Sequence, residues 1–236
     1  MKRSLLILIL FLTACVQKPT KTKSQQHIDS TYMALSTKTG VPISLIKILE
    51  SETGGKAGHL KTNASAIVNF NDSSLVFQEP PTGKMVLLPG VWSNIGSKKN
   101  FYAVLQRIRP KVEPSGFKVF ICNGYNGNDS DKIAILRSDD EFTPLVYMQT
   151  NGINMGYENA ELITRLKVLG ERLDLKLLGA DFDWCEFSIG KDPGDWNELA
   201  DEIYKLCPDV VDQGTYSVEE LAKEMRKSKR LYLWFD

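Results

Sequence analysis

Acidic side chains in the last quarter of the chain have the residue types and spacing that chemistry would need: Asp181, Asp183, Glu186, Asp209, Asp212 and Asp236. In an extended segment, Asp181 and Asp183 would lie on one face, because side chains alternate along a strand. With Asp209 and Asp212 from a loop, they would supply the oxygen ligands that Ca²⁺ and Mg²⁺ bind. The alternative is that each aspartate shapes a turn by hydrogen bonding to its own backbone.

Histidine and cysteine are poorly placed to act as catalytic groups. The two histidines are His27 and His59, and none follows residue 59. A Ser–His or Cys–His pair in the C-terminal domain would therefore need His59 to reach it from the N-terminal region. Cys207 follows a predicted helix, whose C-terminal end carries partial negative charge, and it lies close to Asp209; both features disfavour its thiolate. No CxxC or HxxxH spacing typical of zinc sites occurs. From these residue types we predict no catalytic residue, no zinc site and no cofactor.

Three cysteines lie in the body of the chain, at Cys122, Cys185 and Cys207. One disulfide and one free thiol would suit an oxidising compartment. The alternative is that all three are small buried hydrophobic side chains, since each lies in or beside an apolar pattern.

Aromatic side chains near the end of the chain offer a binding surface. Trp184, Trp196, Tyr232 and Trp234 fit the core or its edge, but Tyr232 and Trp234 share one face of a predicted strand, with Asp236 beyond them. A face that combines aromatic and acidic groups suits a peptide, a sugar or a basic partner. The candidate binding residues are Asp181, Asp183, Trp184, Glu186, Cys207, Asp209, Asp212, Gln213, Trp234 and Asp236.

The segment CPDVVDQG, residues 207–214, is predicted to be a bend that carries several of these candidates. Pro208 ends the preceding helix, and one of the two aspartates shapes the turn. Gly214 supplies a positive φ before Ser217 starts the next helix.

The elements that must position these residues are clearest from residue 98 onward. Apolar residues recur at helical spacing over 101–108, where Pro110 is predicted to stop the helix, and over 162–173. Asp195 and Ser217 each precede a glutamate by three residues, which predicts two capped helices. The remaining predicted elements are strands at 117–122, 131–137, 175–180, 184–189 and 231–236, and a short helix at 142–149. Together these elements indicate an α+β fold, with a mainly antiparallel or mixed sheet and helices packed on one face.

Residues 28–97 form a second α+β region with a weaker pattern. Short apolar runs between turn residues favour strands. These runs cover 43–49, 66–70, 75–77 and 85–88. The Pro and Gly residues at 80–83 and 89–90 predict turns.

The first residues have the layout of a secretory signal. Lys2 and Arg3 precede an apolar run over 4–12, which is too short to span a bilayer. The sequence Leu-Thr-Ala-Cys at 12–15 resembles the lipobox of bacterial lipoproteins, which implies cleavage after residue 14 and acylation of Cys15. Several acyl chains would make this attachment to a membrane durable.

A polar segment follows the predicted lipid site. Residues 15–27 lack apolar periodicity and are predicted to be a flexible tether. Val16, in place of an aspartate, favours the outer membrane facing the periplasm if the source is Gram-negative, by resemblance to enterobacterial lipoproteins.

Composition and charge narrow the classes of partner. The chain of 236 residues is 42% hydrophobic and 25% charged, as globular proteins are. It has 29 basic and 29 acidic residues; removing residues 1–14 takes away Lys2 and Arg3, which leaves 27 against 29 and a net charge of about −2. Nucleic-acid binders present concentrated basic surface, so no nucleic-acid partner is expected.

Residues 131–236 resemble the bacterial family named domain of unknown function 4253. The segments LGADFDWCEF, CPDVVDQG, EELAKE and LYLWFD carry the resemblance. Members of this family often end in two tryptophans before the aspartate, where this chain has Trp234 and Phe235. The resemblance implies a domain boundary and a fold, and it implies no established activity. We place that domain at 98–236.

Three functional hypotheses follow. The first is a lipid-anchored envelope protein whose C-terminal domain is a non-catalytic module that binds a protein or a small molecule. The second is a metal-assisted hydrolase or transferase that uses the aspartates. The third is an immunity-type inhibitor that neutralises a toxin by surface complementarity.

Overall fold

The computed structural model describes residues 23–63, 85–96, 100–122 and 132–235. The helices are α1 Lys23–Thr39, α2 Ile43–Thr53, α3 Phe101–Val112, α4 Thr143–Met148, α5 Asn159–Leu173, α6 Trp196–Leu206 and α7 Val218–Ser228. The strands are β1 Gly54–Asn63, β2 Met85–Ile95, β3 Phe117–Cys122, β4 Lys132–Arg137, β5 Leu175–Ala180, β6 Trp184–Ile189 and β7 Arg230–Trp234. A π-helix spans Val210–Thr215.

The seven strands form one mixed sheet in the order β1-β2-β4-β3-β5-β6-β7. Every neighbouring pair is antiparallel except β3 and β5, which are parallel and meet at Ile121 and Gly179. The predicted α+β class with a mainly antiparallel or mixed sheet is confirmed. Because β2 pairs with β4, residues 28–97 add strands to the same sheet as the later part of the chain.

Helices cover both faces of the sheet, whereas the sequence pattern predicts helices on one face. Helices α1, α2 and α3 pack on what we call the front face, with Val119 and Ile135. Helices α4 to α7 pack on the back face, with Phe120 and Leu136. The reason is visible in β4, where residues 133–136 are all buried. A strand that is apolar on both sides needs cover on both sides.

The N-terminal part departs most from the predictions. Helix α1 begins at Lys23, so it takes in residues 23–27 of the predicted tether. The run at 43–49 forms helix α2 rather than a strand, because Leu45, Ile46 and Leu49 bury one helical face against the front core. The runs at 66–70 and 75–77, and the turn at 80–83, lie outside the described residues.

The turn predicted at 89–90 lies inside strand β2. A Cβ on Gly90 would stand 2.6 Å from the backbone oxygen of Ile135, so glycine here allows two strands to approach closely. Helix α3 likewise continues past Pro110 to Val112, which is buried in the front core.

Local signals in the C-terminal part are confirmed. Asp195 accepts hydrogen bonds from the backbone N–H groups of Asn197 and Glu198, and Ser217 accepts one from Glu220. These bonds cap α6 and α7 as the spacing predicts. Strands β5 and β6 have the predicted bounds. Among the described residues, no helix is both long and apolar enough to cross a membrane.

Candidate functional site

Strands β6 and β7 carry different residues on their two faces. On the back face, Cys185, Phe187, Leu231 and Leu233 are buried in the core. On the front face, Trp184 lies opposite Trp234, and Glu186 lies opposite Tyr232. The alternation of strand side chains therefore concentrates aromatic and charged groups on the front of this end of the sheet.

Glu186 is held at this front face by two partners. The residue is 6% exposed. The Tyr102 hydroxyl from α3 lies 2.7 Å from both carboxylate oxygens and donates to them. Arg230 Nη1 donates to Oε1 over 2.9 Å, and the guanidinium lies 4.5 Å from the centre of the Tyr102 ring. The buried charge is thus both paired and hydrogen bonded, as burial requires.

Burial dominates the protonation equilibria of this network. It raises the pKa of Glu186, although the Tyr102 hydrogen bond and the Arg230 charge act in the opposite direction. Burial, and next the hydrogen bond to Glu186, raises the pKa of Tyr102 well above its usual range. Tyr102 therefore stays a hydrogen-bond donor at neutral pH.

An open cleft of about 410 Å³ lies beside β7 and includes this network in its wall. Its lining comes from α3, from β6 and β7, from the π-helix and from α7. The residues that line it include Tyr102, Glu186, Val210, Leu221, Glu224, Met225, Arg230, Tyr232 and Trp234. A cleft of this size is in the range of small-molecule sites.

Aromatic and acidic groups set the chemistry of the cleft. Tyr232 is 47% exposed, and its ring stacks on Trp184 with centroids 6.0 Å apart. Burial, and next the charges of Asp183 and Glu186, raise the pKa of Tyr232 to about 12. Glu224 is exposed, and no hydrogen bond or ion pair from the described residues reaches its carboxylate. The cleft is therefore suited to a cationic group near aromatic rings.

The segment CPDVVDQG contributes to the cleft, and its backbone differs from the predicted bend. It forms the π-helix, and the positive φ belongs to Tyr216, at 62°, rather than to Gly214. The Tyr216 N–H donates to the Val211 carbonyl oxygen five residues earlier, which is the hydrogen-bond spacing of a π-helix. The chain therefore changes direction at Tyr216, the residue that follows the π-helix. Val210 and Gly214 line the cleft.

The four aspartates of the metal hypothesis have separate surroundings. Asp181 and Asp183 lie in the β5–β6 turn, where the Asp181 carboxylate accepts from the Phe182 N–H. Asp209 accepts from the Gln213 amide, and Asp212 accepts from the Tyr204 hydroxyl. In the described part of the chain, no three His, Cys, Asp or Glu side chains form a metal-ligating group.

The three cysteines that the structure describes are buried free thiols. Cys122, Cys185 and Cys207 form no disulfide. Cys207 donates a hydrogen bond to the Trp234 backbone oxygen over 2.9 Å, and it packs in the back core, outside the cleft. Burial raises the pKa of all three thiols, that of Cys207 to about 11. The structure thus matches the interpretation of small buried hydrophobic side chains.

The structure brings Glu186 and Trp234 of the predicted set to the cleft, with Trp184 stacked behind Tyr232. Asp236 and Cys15 lie outside the described residues. Sequence reasoning missed Arg230 and Tyr102. Alternation along β7 could have found Arg230, because it shares the face of Tyr232. Tyr102 reaches the site only through the packing of α3.

Comparison with known proteins gives one family match, which covers the C-terminal part of the chain. A sequence profile matches residues 132–236, which include β6, β7, the π-helix and α7. The family is described as Domain of unknown function (DUF4253). The match supports the resemblance of the C-terminal part to this family. Tyr102 lies outside the matched residues. Searches of curated proteins and of solved structures gave no significant match.

Proposed function

We propose that this protein is a lipid-anchored envelope protein whose C-terminal part is a non-catalytic module that binds a basic ligand. The anchor is supported by the basic start, the short apolar run and the Leu-Thr-Ala-Cys box that ends at Cys15. The envelope is the compartment to which such a signal directs a bacterial protein.

One observation carries the binding proposal: the same cleft is lined by exposed Tyr232 and by Glu224, whose carboxylate has no partner among the described residues. The Arg230 charge is already neutralised by Glu186. A cationic group would therefore find an acidic partner and aromatic surface together. The thiols are buried, which leaves the cleft without a cysteine nucleophile among its lining residues.

The anchor is tested by replacing the lipid site. We expect wild type to incorporate labelled palmitate and to sediment with membranes, and Cys15→Ser to do neither. If Cys15→Ser sediments with membranes as wild type does, and wild type carries no label, the anchor proposal is wrong.

Binding is tested by titrating the full-length protein in detergent micelles while following tryptophan fluorescence. The probes are an acetylated and amidated heptapeptide of alternating valine and lysine, and its counterpart with glutamate in place of lysine. We expect a saturable change with the lysine peptide, a much weaker one with the glutamate peptide, and loss of the response in Tyr232→Ala. Equal responses to both peptides, or no response, would contradict the proposal.

A further inference from the structure

Strand β7 is an edge strand whose backbone orientation can be assigned. It is the last strand of the sheet and pairs with β6 alone among the described strands. The Phe235 N–H donates to Asp183 O, and the Ile189 N–H donates to Lys229 O, each over 2.8 Å. In an antiparallel pair, hydrogen-bonded and non-hydrogen-bonded positions alternate. Leu231 and Leu233 therefore direct their backbone groups towards β6.

Arg230, Tyr232 and Trp234 consequently direct their N–H and C=O groups away from β6. Two of these outward groups are occupied: the Arg230 N–H bonds to Ser228 Oγ over 3.2 Å, and the Trp234 C=O accepts from Cys207 Sγ. No hydrogen bond from the described residues reaches the Tyr232 N–H or C=O. The open part of the edge is therefore centred on Tyr232.

The cleft lies next to this open edge of the sheet, so a strand added to β7 would occupy it. Beyond β7, its lining comes from Val210, Leu221 and Met225, which are otherwise packed in the back core. An extended chain placed beside β7 would lie on this apolar floor. Half of the side chains of this added strand would contact the floor. The alternate side chains would point to the same side of the sheet as Tyr232, because neighbouring strands share their pleat.

The charge of the cleft specifies what kind of side chain would accompany such a strand. Glu224 lines the cleft without a partner among the described residues. Of the lining residues that the structure describes, Arg230 is the only cation, and it is paired with Glu186. A lysine or arginine side chain of the added strand would complement Glu224.

We propose that the cleft binds an extended peptide segment of another protein by strand addition to β7, with apolar side chains on the floor and a basic side chain at Glu224. This recognition mode rests on the proposed binding function and names its partner. Main-chain hydrogen bonds to Tyr232 hold the peptide, and the floor and Glu224 select its side chains.

A second copy of this chain fits the cleft less well. The edge of its own β7 is flanked by α7 and the π-helix, which also line the cleft. Two copies that pair through β7 would bring both α7 helices and both π-helices to the same edge, whereas a short extended segment brings no helix with it.

The test uses the full-length protein in micelles and the alternating valine–lysine heptapeptide, with backbone N-methyl groups as the probe of strand addition. In an added strand, the N–H groups of alternate residues point to the partner strand and the others point away. One derivative is N-methylated at every valine and the other at every lysine. We expect one to lose affinity by about tenfold or more and the other by less than about threefold.

Two variants test the charge. Glu224→Gln should weaken binding of the lysine peptide several-fold and leave binding of a valine–threonine heptapeptide unchanged. Glu219→Gln is the matched control, because Glu219 is an exposed acid of α7 outside the cleft lining. Melting curves of both variants establish that they are folded.

The outcomes separate the two proposals. If both N-methylated peptides bind like the parent, or if both lose affinity equally, strand addition is wrong while binding at the cleft stands. If sedimentation shows a dimer that Tyr232→Pro dissociates and that excludes the peptide, the partner is a second copy and the inference is overturned. If no peptide binds, the proposed function fails with it.

Discussion

The hydroxyl of Tyr102 lies 2.7 Å from both carboxylate oxygens of Glu186. This contact joins α3, which precedes the residues matched by the family profile, to β6, which lies within them. The wall of the cleft is therefore completed by a side chain from outside the matched part. The region before residue 132 contributes to the site as well as to the sheet.

Removal of that hydroxyl should destabilise the fold. In Tyr102→Phe, the buried Glu186 carboxylate loses one of its two hydrogen-bond donors and keeps Arg230, which should lower the free energy of unfolding by about 1–3 kcal/mol. Urea unfolding followed by circular dichroism measures the change. Tyr204→Phe is the control, since it removes an exposed hydroxyl that bonds to Asp212, and it should cost less than about 0.5 kcal/mol. Equal losses in the two variants would contradict a specific role for Tyr102.

Glu186 should give the protein a recognisable pH dependence. Because its pKa in the folded state is raised, the folded state binds its proton more tightly than the unfolded state does. Its contribution is therefore most favourable at pH below the unfolded pKa and declines as the pH rises through the folded pKa.

This sign is checked by comparing wild type with Glu186→Gln. The free energy of unfolding of wild type minus that of the variant should decrease between about pH 4 and pH 7, since other carboxyl groups cancel in the difference. Urea unfolding at a series of pH values measures it. A difference that grows with pH would mean that Arg230 and Tyr102 outweigh burial.

A side chain at position 179 should destabilise the fold. A Cβ there would stand 2.5 Å from the Trp184 ring and 3.1 Å from the Ile121 backbone oxygen. Gly179→Ala should therefore displace Trp184, on which Tyr232 stacks, and should cost about 1–3 kcal/mol in thermal or urea unfolding. Gly96→Ala is the control, because its Cβ would have only one neighbour, at 3.9 Å. If Gly179→Ala and Gly96→Ala both change the free energy of unfolding only slightly, the Trp184 ring moves aside without cost and the prediction is wrong.

The three internal thiols should be unreactive in the folded protein. Cys122, Cys185 and Cys207 are buried, and burial keeps them protonated at ordinary pH. In Cys15→Ser, which removes the thiol that we propose is lipidated, Ellman's reagent should label none of them at pH 8 and all of them in denaturant. Rapid labelling of Cys207 without denaturant would contradict its placement in the core.

The predictions of helix caps and strand bounds succeeded, because these features depend on residues that are close in sequence. Asp195 and Ser217 cap their helices because a cap is formed by residues that are neighbours in sequence. Strands β5 and β6 have the predicted bounds, because β5 is a short apolar run and β6 an alternating one, and a turn separates them. The side-chain alternation that pairs Tyr232 with Trp234 on one face is likewise a local property.

Predictions failed where tertiary packing decides. The run at 43–49 has an apolar composition that suits a strand, yet the front face of the sheet needs a helix there. Pro89 and Gly90 look like a turn, but close approach of β2 to β4 makes them part of a strand. The cleft itself could not be foreseen, since Tyr102 and Glu224 are brought to Tyr232 by the docking of α3 and α7.

Hydrogen exchange at the Tyr232 amide tests the central claim most directly. With the full-length protein in micelles, adding the valine–lysine heptapeptide should slow exchange of the Tyr232 N–H by about tenfold or more, because the peptide supplies its missing acceptor. The Leu233 N–H, which already faces β6, should change little. Unaltered exchange at Tyr232 under saturating peptide would contradict the account.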